Sequence, residues 1–508
     1  MSAIDRAYLG FDFGASSGRA ILGRLSYGEQ KKLEIEEIYR FPNEALPNGK
    51  YLMWEIDRLF NEVKTGIGIA AKMGVHIEAI GVDTWGVDFG IIEKKTGKLV
   101  FAPVSYRDSR TDDMMEEAYK IMPKEEIFRH TGLAFMQFNT LYQILAMQKD
   151  PEAAKYISDE YTLLFMPDLF EYYLTGNVGT EYTIASTSQL MDPVKRTWSR
   201  EILDAFHIPE GFLAPLQDSG TVRGMLKKEI CPELDYDVPV IAVASHDTAS
   251  AVAAVPGKKN ENFAYISSGT WSIFGIETTE PQTAESVMEV NFSNEGGLNG
   301  TTRLLKNIMG LWIIQECRKQ FNIERKDRGL EPLSFADIVT EVKNTPKKPD
   351  YVIDVDDQLF FVPDHMSDKI VSYVEAHSGH IDPNHKVGII ADIVYRSLAL
   401  KYRWAVESIE RITGKRIDAL YIVGGGGKNE LLNIYTAQAL ARPVTIGAGE
   451  GTVIGNLLVQ AMGKGDVKDL WEVRSIVMAS EGGKTYGFDP TLSAKWDADY
   501  ARLMEMVK

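Results

Sequence analysis

Hydrophobic and polar positions along this chain follow two periods, and the changes between them mark out elements. Residues 7–13 (AYLGFDF) read as a strand, 14–18 as a turn of small residues and 19–25 (RAILGRL) as a second strand, so the chain opens on a hairpin. Between 55 and 73, Ile56, Leu59, Phe60, Val63, Ile67 and Ala70 fall at helical spacing. Residues 78–92 return to strand, and helical patterns follow around 113–122, 139–148 and 168–175. An apolar strand at 238–245 leads into a helix at 247–254, and 263–277 repeats the opening device of strand, Ser/Gly turn and strand. The last third alternates: a helix at 389–411, a buried strand at 418–423, four glycines at 424–427, a helix at 429–441 and a short strand at 443–446. Residues 323–350 and 376–387 are the most polar and read as surface loops or insertions. The alternation predicts an α/β architecture. The two similar hairpins suggest two related halves, placed at 1–244 and 245–508.

A length of 508 residues suits more than one domain. Lys and Arg number 55 against 72 Asp and Glu, a net charge of −17 that repels nucleic acid and anionic membranes. A small anionic ligand remains possible through local backbone N–H groups. Two cysteines, Cys231 and Cys317, are too few for a disulfide framework or a Cys-rich zinc site. The opening MSAIDRAYLG lacks the basic and apolar regions of a leader. No apolar stretch is long enough to span a bilayer; the uncharged run 131–148 carries Gln137, Asn139 and Gln143. A soluble, cytoplasmic protein is expected, monomer or homodimer. Asn291-Phe-Ser and Asn299-Gly-Thr are then chance glycosylation matches.

At the first hairpin tip, small residues leave backbone N–H groups open, Ser16 and Ser17 add hydroxyls and Arg19 adds a positive charge. Such a concavity suits phosphate oxygens, and Asp12 at the strand end suits a hydrated Mg²⁺. An ordinary tight hairpin with Asp12 as a turn residue explains the same pattern. The turn also spells G-x-S-x-G, but a strand rather than a helix follows it, which argues against a hydrolase. The second tip, Ser267 to Thr270, offers small residues and hydroxyls again. Gly424 to Gly427 permit close approach of a nucleoside, or simply a turn that needs positive φ. Ser245-His246-Asp247-Thr248 sits where an apolar strand ends and a helix begins. Asp247 there is either a base for a sugar hydroxyl or a helix cap, and His246 either a hydroxyl partner or a turn residue.

Other clusters carry less. No Walker A sequence is present, and Gly66-x-Gly68-x-x-Ala71 lies inside an amphipathic helix. Trp85 suits a sugar face or the core. Tyr106 to Arg110 read as structural ion pairing. His377, His380 and His385 with Asp382 read as a solvated loop, and Asp354, Asp356 and Asp357 lack the pattern of a calcium loop.

Taken in order, GASSGR (14–19), VDTWGVDF (82–89), YRDSR (106–110), FNTLYQ (138–143), VASHDTASAV (243–252), SSGTWS (267–272), NEGG (294–297), KNIMGLW (306–312) and the glycine run at 424–427 resemble the FGGY carbohydrate kinases. The resemblance covers nearly the whole chain. It implies two ribonuclease-H-like domains of the actin-like ATPase type with a catalytic cleft between them. It implies ATP as co-substrate with Mg²⁺, and L-rhamnulose phosphorylated at its 1-hydroxyl, with L-fuculose or D-xylulose as alternative acceptors and a plain ATPase as the outside case. Asp247 is then the catalytic base. Ala15, Ser16, Ser17, Gly18, Arg19, Thr270, Gln315, Gly425 and Gly426 contact ATP. Gly86, His246, Asp247, Thr248 and Asn307 contact the ketose, and Asp12 places Mg²⁺. Asn307 and Gln315, eight apart, are expected near one face of a single helix. Two departures stand out: a cysteine found after the last glycine run in a relative is Gly427 here, and 323–387 matches poorly.

Overall fold

The structure, a computed structural model, describes residues 5–377 and 379–507. Residues 1–4, the start of the segment read as lacking a leader, lie outside them. The chain divides into two interleaved units: 1–259 with 277–305 and 450–482, and 260–276 with 306–449 and 483–508.

The first unit is built on a six-stranded sheet in the order Thr221–Met225, Pro239–Ala242, Ile77–Thr84, Arg6–Phe13, Ser17–Ser26, Lys32–Pro42. The opening hairpin is antiparallel, pairing Asp12 with Arg19. Its first strand then pairs in parallel with Ile77–Thr84, placing Asp12 beside Asp83. Near-continuous apolar runs fill these strands because both faces are covered. Leu9, Phe11, Phe13, Val82 and Val240 are buried with Leu59, Val63 and Ile67 of the helix Ile56–Lys72, whose apolar spacing is the one read from the sequence.

The second unit repeats the device. The second large sheet of the chain has seven strands, in the order Ser293–Gly296, Thr302–Met309, Trp271–Thr278, Phe263–Ser268, Ala419–Val423, Val444–Ile446, Lys484–Tyr486. Phe263–Ser268 is antiparallel to Trp271–Thr278 and parallel to Ala419–Val423. The long helix Lys386–Thr413 buries Ile389, Ile393, Leu398 and Val406.

Three expectations change. Residues 78–92 are not one stretch of strand: Ile77–Thr84 ends at a turn, and Phe89–Glu93 joins a separate three-stranded sheet. Asn307 and Gln315 do not share a helix. Asn307 lies on the strand Thr302–Met309 and Gln315 on the helix Trp312–Asp327, because Gly310 breaks the element between them. The polar stretch 323–350 is not all loop. Phe335–Asn344 is a helix opened by a Ser334–Asp337 capping box, with Ile338 and Val342 buried at four-residue spacing. Among the described residues no helix is long and apolar enough to cross a membrane.

Candidate active site

In the first unit, three neighbouring parallel strands end together, and their carboxyl ends carry the candidate chemistry, as open α/β sheets dispose it. Asp12 and Asp83 lie side by side, each one residue before the end of its strand. Past Pro239–Ala242, Ser245 accepts a hydrogen bond from the Thr84 N–H at 2.9 Å, and Thr84 and His246 form a parallel bridge. Asp247 then opens the helix Asp247–Ala253 as its first residue; His246 holds the cap position without a side-chain capping bond.

The backbone here is fixed from beneath. Glu181, fully buried, accepts from the Ser245 N–H at 3.1 Å and from the Thr183 hydroxyl at 2.6 Å. That hydroxyl oxygen in turn accepts from the His246 N–H at 3.2 Å. The helix Asp247–Ala253 also lies directly against the helix Gly451–Gly463, so closely that a Cβ at Gly455 would overlap the Ser250 carbonyl.

Asp247 Oδ1 accepts from the Thr248 N–H at 2.5 Å and the Thr248 hydroxyl at 3.1 Å, and lies 3.5 Å from His246 Nε2. Burial raises the carboxyl above its ordinary range, against the pull of His246 and with a further push from Asp12. On its other side, His246 Nδ1 is 3.2 Å from Glu295 Oε2. Burial works against the Glu295 charge, yet Arg303 and His246 hold its carboxyl below the ordinary range.

Asp83 is fully buried. Its Oδ2 accepts from Asn456 Nδ2 at 2.6 Å, while Oδ1 has no hydrogen-bond partner among the described residues. Burial and the adjacent Asp12 push its carboxyl well above the usual range. Asp12 Oδ2 accepts from Arg19 Nε and Nη2 at 2.9 and 2.7 Å. Two adjacent carboxylates with an oxygen left over fit a hydrated Mg²⁺, which needs only one or two carboxylates and completes its shell with water and phosphate. Among the described residues no group of three or more His, Cys, Asp or Glu forms a metal cage.

The first hairpin tip is strand–turn–strand, so Ser16 is no nucleophile elbow. Gly14 N–H donates to the Ser17 carbonyl at 2.9 Å, and Asn43 braces the turn from outside. Ser16 is exposed, Ala15 and Ser17 are half-buried, and Gly18 is buried against Phe41. Arg19 points back at Asp12 and at Glu450, 2.7 Å away.

The remaining nucleotide candidates gather in the second unit. Thr270, exposed at the second hairpin tip, accepts through its carbonyl from the Trp312 N–H at 3.0 Å. Its hydroxyl donates to Gln315 Oε1 at 3.5 Å. Gly426 packs against the same hairpin, where a Cβ would overlap the Ser268 hydroxyl; Gly425 faces open space. Asn307 is exposed on its strand.

Sequence models of the FGGY family of carbohydrate kinases match here over most of the chain: the N-terminal domain at residues 7–254 and the C-terminal domain at 264–463. The chain belongs to this family. It is a phosphotransferase, and family members take ATP as co-substrate, generally with Mg²⁺. The chain is 38% identical over 479 residues to a rhamnulokinase of Oceanobacillus iheyensis, covering 94% of this chain and 97% of that one. A rhamnulokinase of Bacteroides thetaiotaomicron is 38% identical over 502 residues, 99% of each chain. Among solved structures, gluconate kinase from Lactobacillus acidophilus superposes with a TM-score of 0.79 at 15% identity, covering 99% of this chain and 98% of that one. Plasmodium falciparum glycerol kinase with ADP gives 0.79 at 16%, with the same coverage. These likenesses show the two-domain α/β fold.

The site contains residues that pattern alone does not single out. Asp83 stood in the sequence as part of an interrupted strand. Glu295 stood in the NEGG stretch with no role attached to it. Glu181, Arg303 and Asn456 reach the site only through sheet pairing and helix packing, and no local motif announces them.

Proposed function

We propose that this enzyme transfers the γ-phosphoryl group of ATP to the 1-hydroxyl of L-rhamnulose, giving L-rhamnulose 1-phosphate and ADP in L-rhamnose catabolism. The observation that carries the acceptor is the near full-length identity to rhamnulokinases. The geometry around Asp247 supports the chemistry.

Asp247 takes the hydroxyl proton as the oxygen attacks. Its raised proton affinity suits that role, since a base works best with a pKa nearer the working pH. His246, anchored by Glu295, offers its Nε2 side to a substrate hydroxyl. Thr248 holds Asp247 Oδ1, which leaves Oδ2 for the proton. Gly86 and Asn307 are assigned to the ketose. Ala15, Ser16, Ser17, Gly18, Arg19, Thr270, Gln315, Gly425 and Gly426 are assigned to ATP. Asp12 and Asp83 would hold Mg²⁺, which when bound neutralises phosphate charge.

ADP release with ATP and Mg²⁺ in the presence of L-rhamnulose, L-fuculose, D-xylulose, glycerol or no sugar tests the proposal. Release driven by L-rhamnulose above the others is expected. Preference for another ketose moves the acceptor, and sugar-independent release removes the roles given to His246 and Asp247.

A further inference from the structure

The segment joining Ile77–Thr84 to Phe89–Glu93 is a strained turn held by more side chains than a simple connection needs. Val87 has φ of +67°, where a β-branched residue meets its own backbone. The Asp88 N–H donates to the Gly86 carbonyl at 2.9 Å, so three residues close the turn around that strained centre. Both peptide groups of Val87 are taken by buried side chains. Its N–H donates to Thr187 Oγ1 at 3.1 Å. Its carbonyl accepts from Thr140 Oγ1 at 2.7 Å and Gln143 Nε2 at 3.3 Å. Arg110 Nη2 donates to Gln143 Oε1 at 2.6 Å, which fixes the amide's direction. A Cβ at Gly86 would lie 3.1 Å from the Thr187 side chain, so the glycine and the threonine are matched.

Backbone strain persists where the surroundings over-determine it, and it clusters at ligand clamps. A turn serving only to connect two strands would place glycine or asparagine at its centre. This one begins two residues after Thr84, which bridges to His246. We infer that Gly86–Val87–Asp88 is a preformed sugar clamp, and that Thr187 and Thr140 are positioning residues that set ketose affinity by holding the Gly86 backbone in place. The inference rests on the assignment of a ketose to Gly86, His246 and Asp247. A rigid turn spares the ligand the cost of ordering a loop, so loosening it weakens sugar binding ahead of turnover.

The test compares Thr187→Val, Thr187→Ser and Val87→Gly with wild type. Steady-state kinetics and calorimetric ketose titration without nucleotide use whichever ketose drives ADP release fastest. Thr187→Val leaves the buried Val87 N–H without its acceptor and should raise ketose KM and Kd about tenfold, with the KM for ATP within about twofold of wild type. Val87→Gly should move ketose affinity the same way. Thr187→Ser keeps the hydroxyl and should restore wild-type values, and Val87→Gly decides the matter if Thr187→Val does not fold. Ketose KM and Kd unchanged in Thr187→Val and Val87→Gly, equal losses for ketose and ATP, or Thr187→Ser as impaired as Thr187→Val would each overturn the clamp. ADP release indifferent to every ketose overturns the substrate assignment instead.

Discussion

Glu295 and Arg303 stand opposite one another on paired antiparallel strands, with Arg303 Nη2 3.1 Å from Glu295 Oε2 and 3.2 Å from His246 Nδ1. Arg303 also donates through Nε to the Gly296 carbonyl at 2.7 Å, and its side chain is fully buried. A charge couple is therefore built in behind the imidazole that flanks Asp247. Its value is positional: buried ion pairs contribute little net stability, but losing one partner leaves the other uncompensated.

Arg303→Met is expected to cost about 3–5 kcal/mol of unfolding free energy, because Glu295 would remain buried without its cation. Urea denaturation followed by circular dichroism reads this. A loss under about 1 kcal/mol would mean that Glu295 finds water or takes a proton at little cost.

Asp247→Asn removes the proton acceptor and keeps the shape. Turnover should fall about 10²- to 10⁴-fold, the span of general-base contributions. ADP affinity, measured by calorimetry, should stay near wild type. Near-normal turnover would move the base elsewhere.

Asp83→Asn tests the carboxylate that faces Asp12. Exchanging the carboxyl for an amide removes an anionic ligand that the metal could recruit and should weaken binding of Mn²⁺ in the presence of ADP about tenfold or more, read by the electron paramagnetic resonance of free Mn²⁺. Unaltered Mn²⁺ affinity would leave Asp83 a purely internal neighbour of Asn456.

Asp88 carries a pH signature. Burial lifts its carboxyl to about 6, although the Trp54 and Trp85 indoles, Gln143 and the Tyr106 N–H all donate to it. An unfolded aspartate titrates near about 4. The folded state therefore binds the extra proton between these values, and the contribution to stability is full below about 4 and lost as pH rises through about 6. The difference in unfolding free energy between wild type and Asp88→Asn should shrink or reverse across that window. A difference independent of pH between about 4 and about 7 would contradict the shift.

The two hairpins were legible because small-residue turns between apolar runs have few other meanings, and both place their strands in the sheets as expected. The helix Ile56–Lys72 was legible from its spacing alone. Asn307 was misplaced because an apolar stretch running into a helix carries no local mark of the break at Gly310, and the glycine is set by packing against Ser272 in the adjoining strand. The helix Phe335–Asn344 was hidden by polar composition, although its Ser334–Asp337 signature was present in the sequence. Arg303, Thr187 and Glu181 could not be found at all. Each acts on a residue tens of positions away, through register and burial that only the folded chain establishes.

The seam between Gly455 and Ser250 has a consequence for how this chain can diverge. The obstacle there is main chain, so no change of the residue at 250 makes room for a side chain at 455. Compensation by a partner mutation, the usual escape from a packing conflict, is closed. Relief would require the helix that begins at Asp247 to move bodily, carrying its carboxylate along. A descendant of this sequence can therefore trade away sugar contacts one at a time, while position 455 is inherited together with the reaction itself.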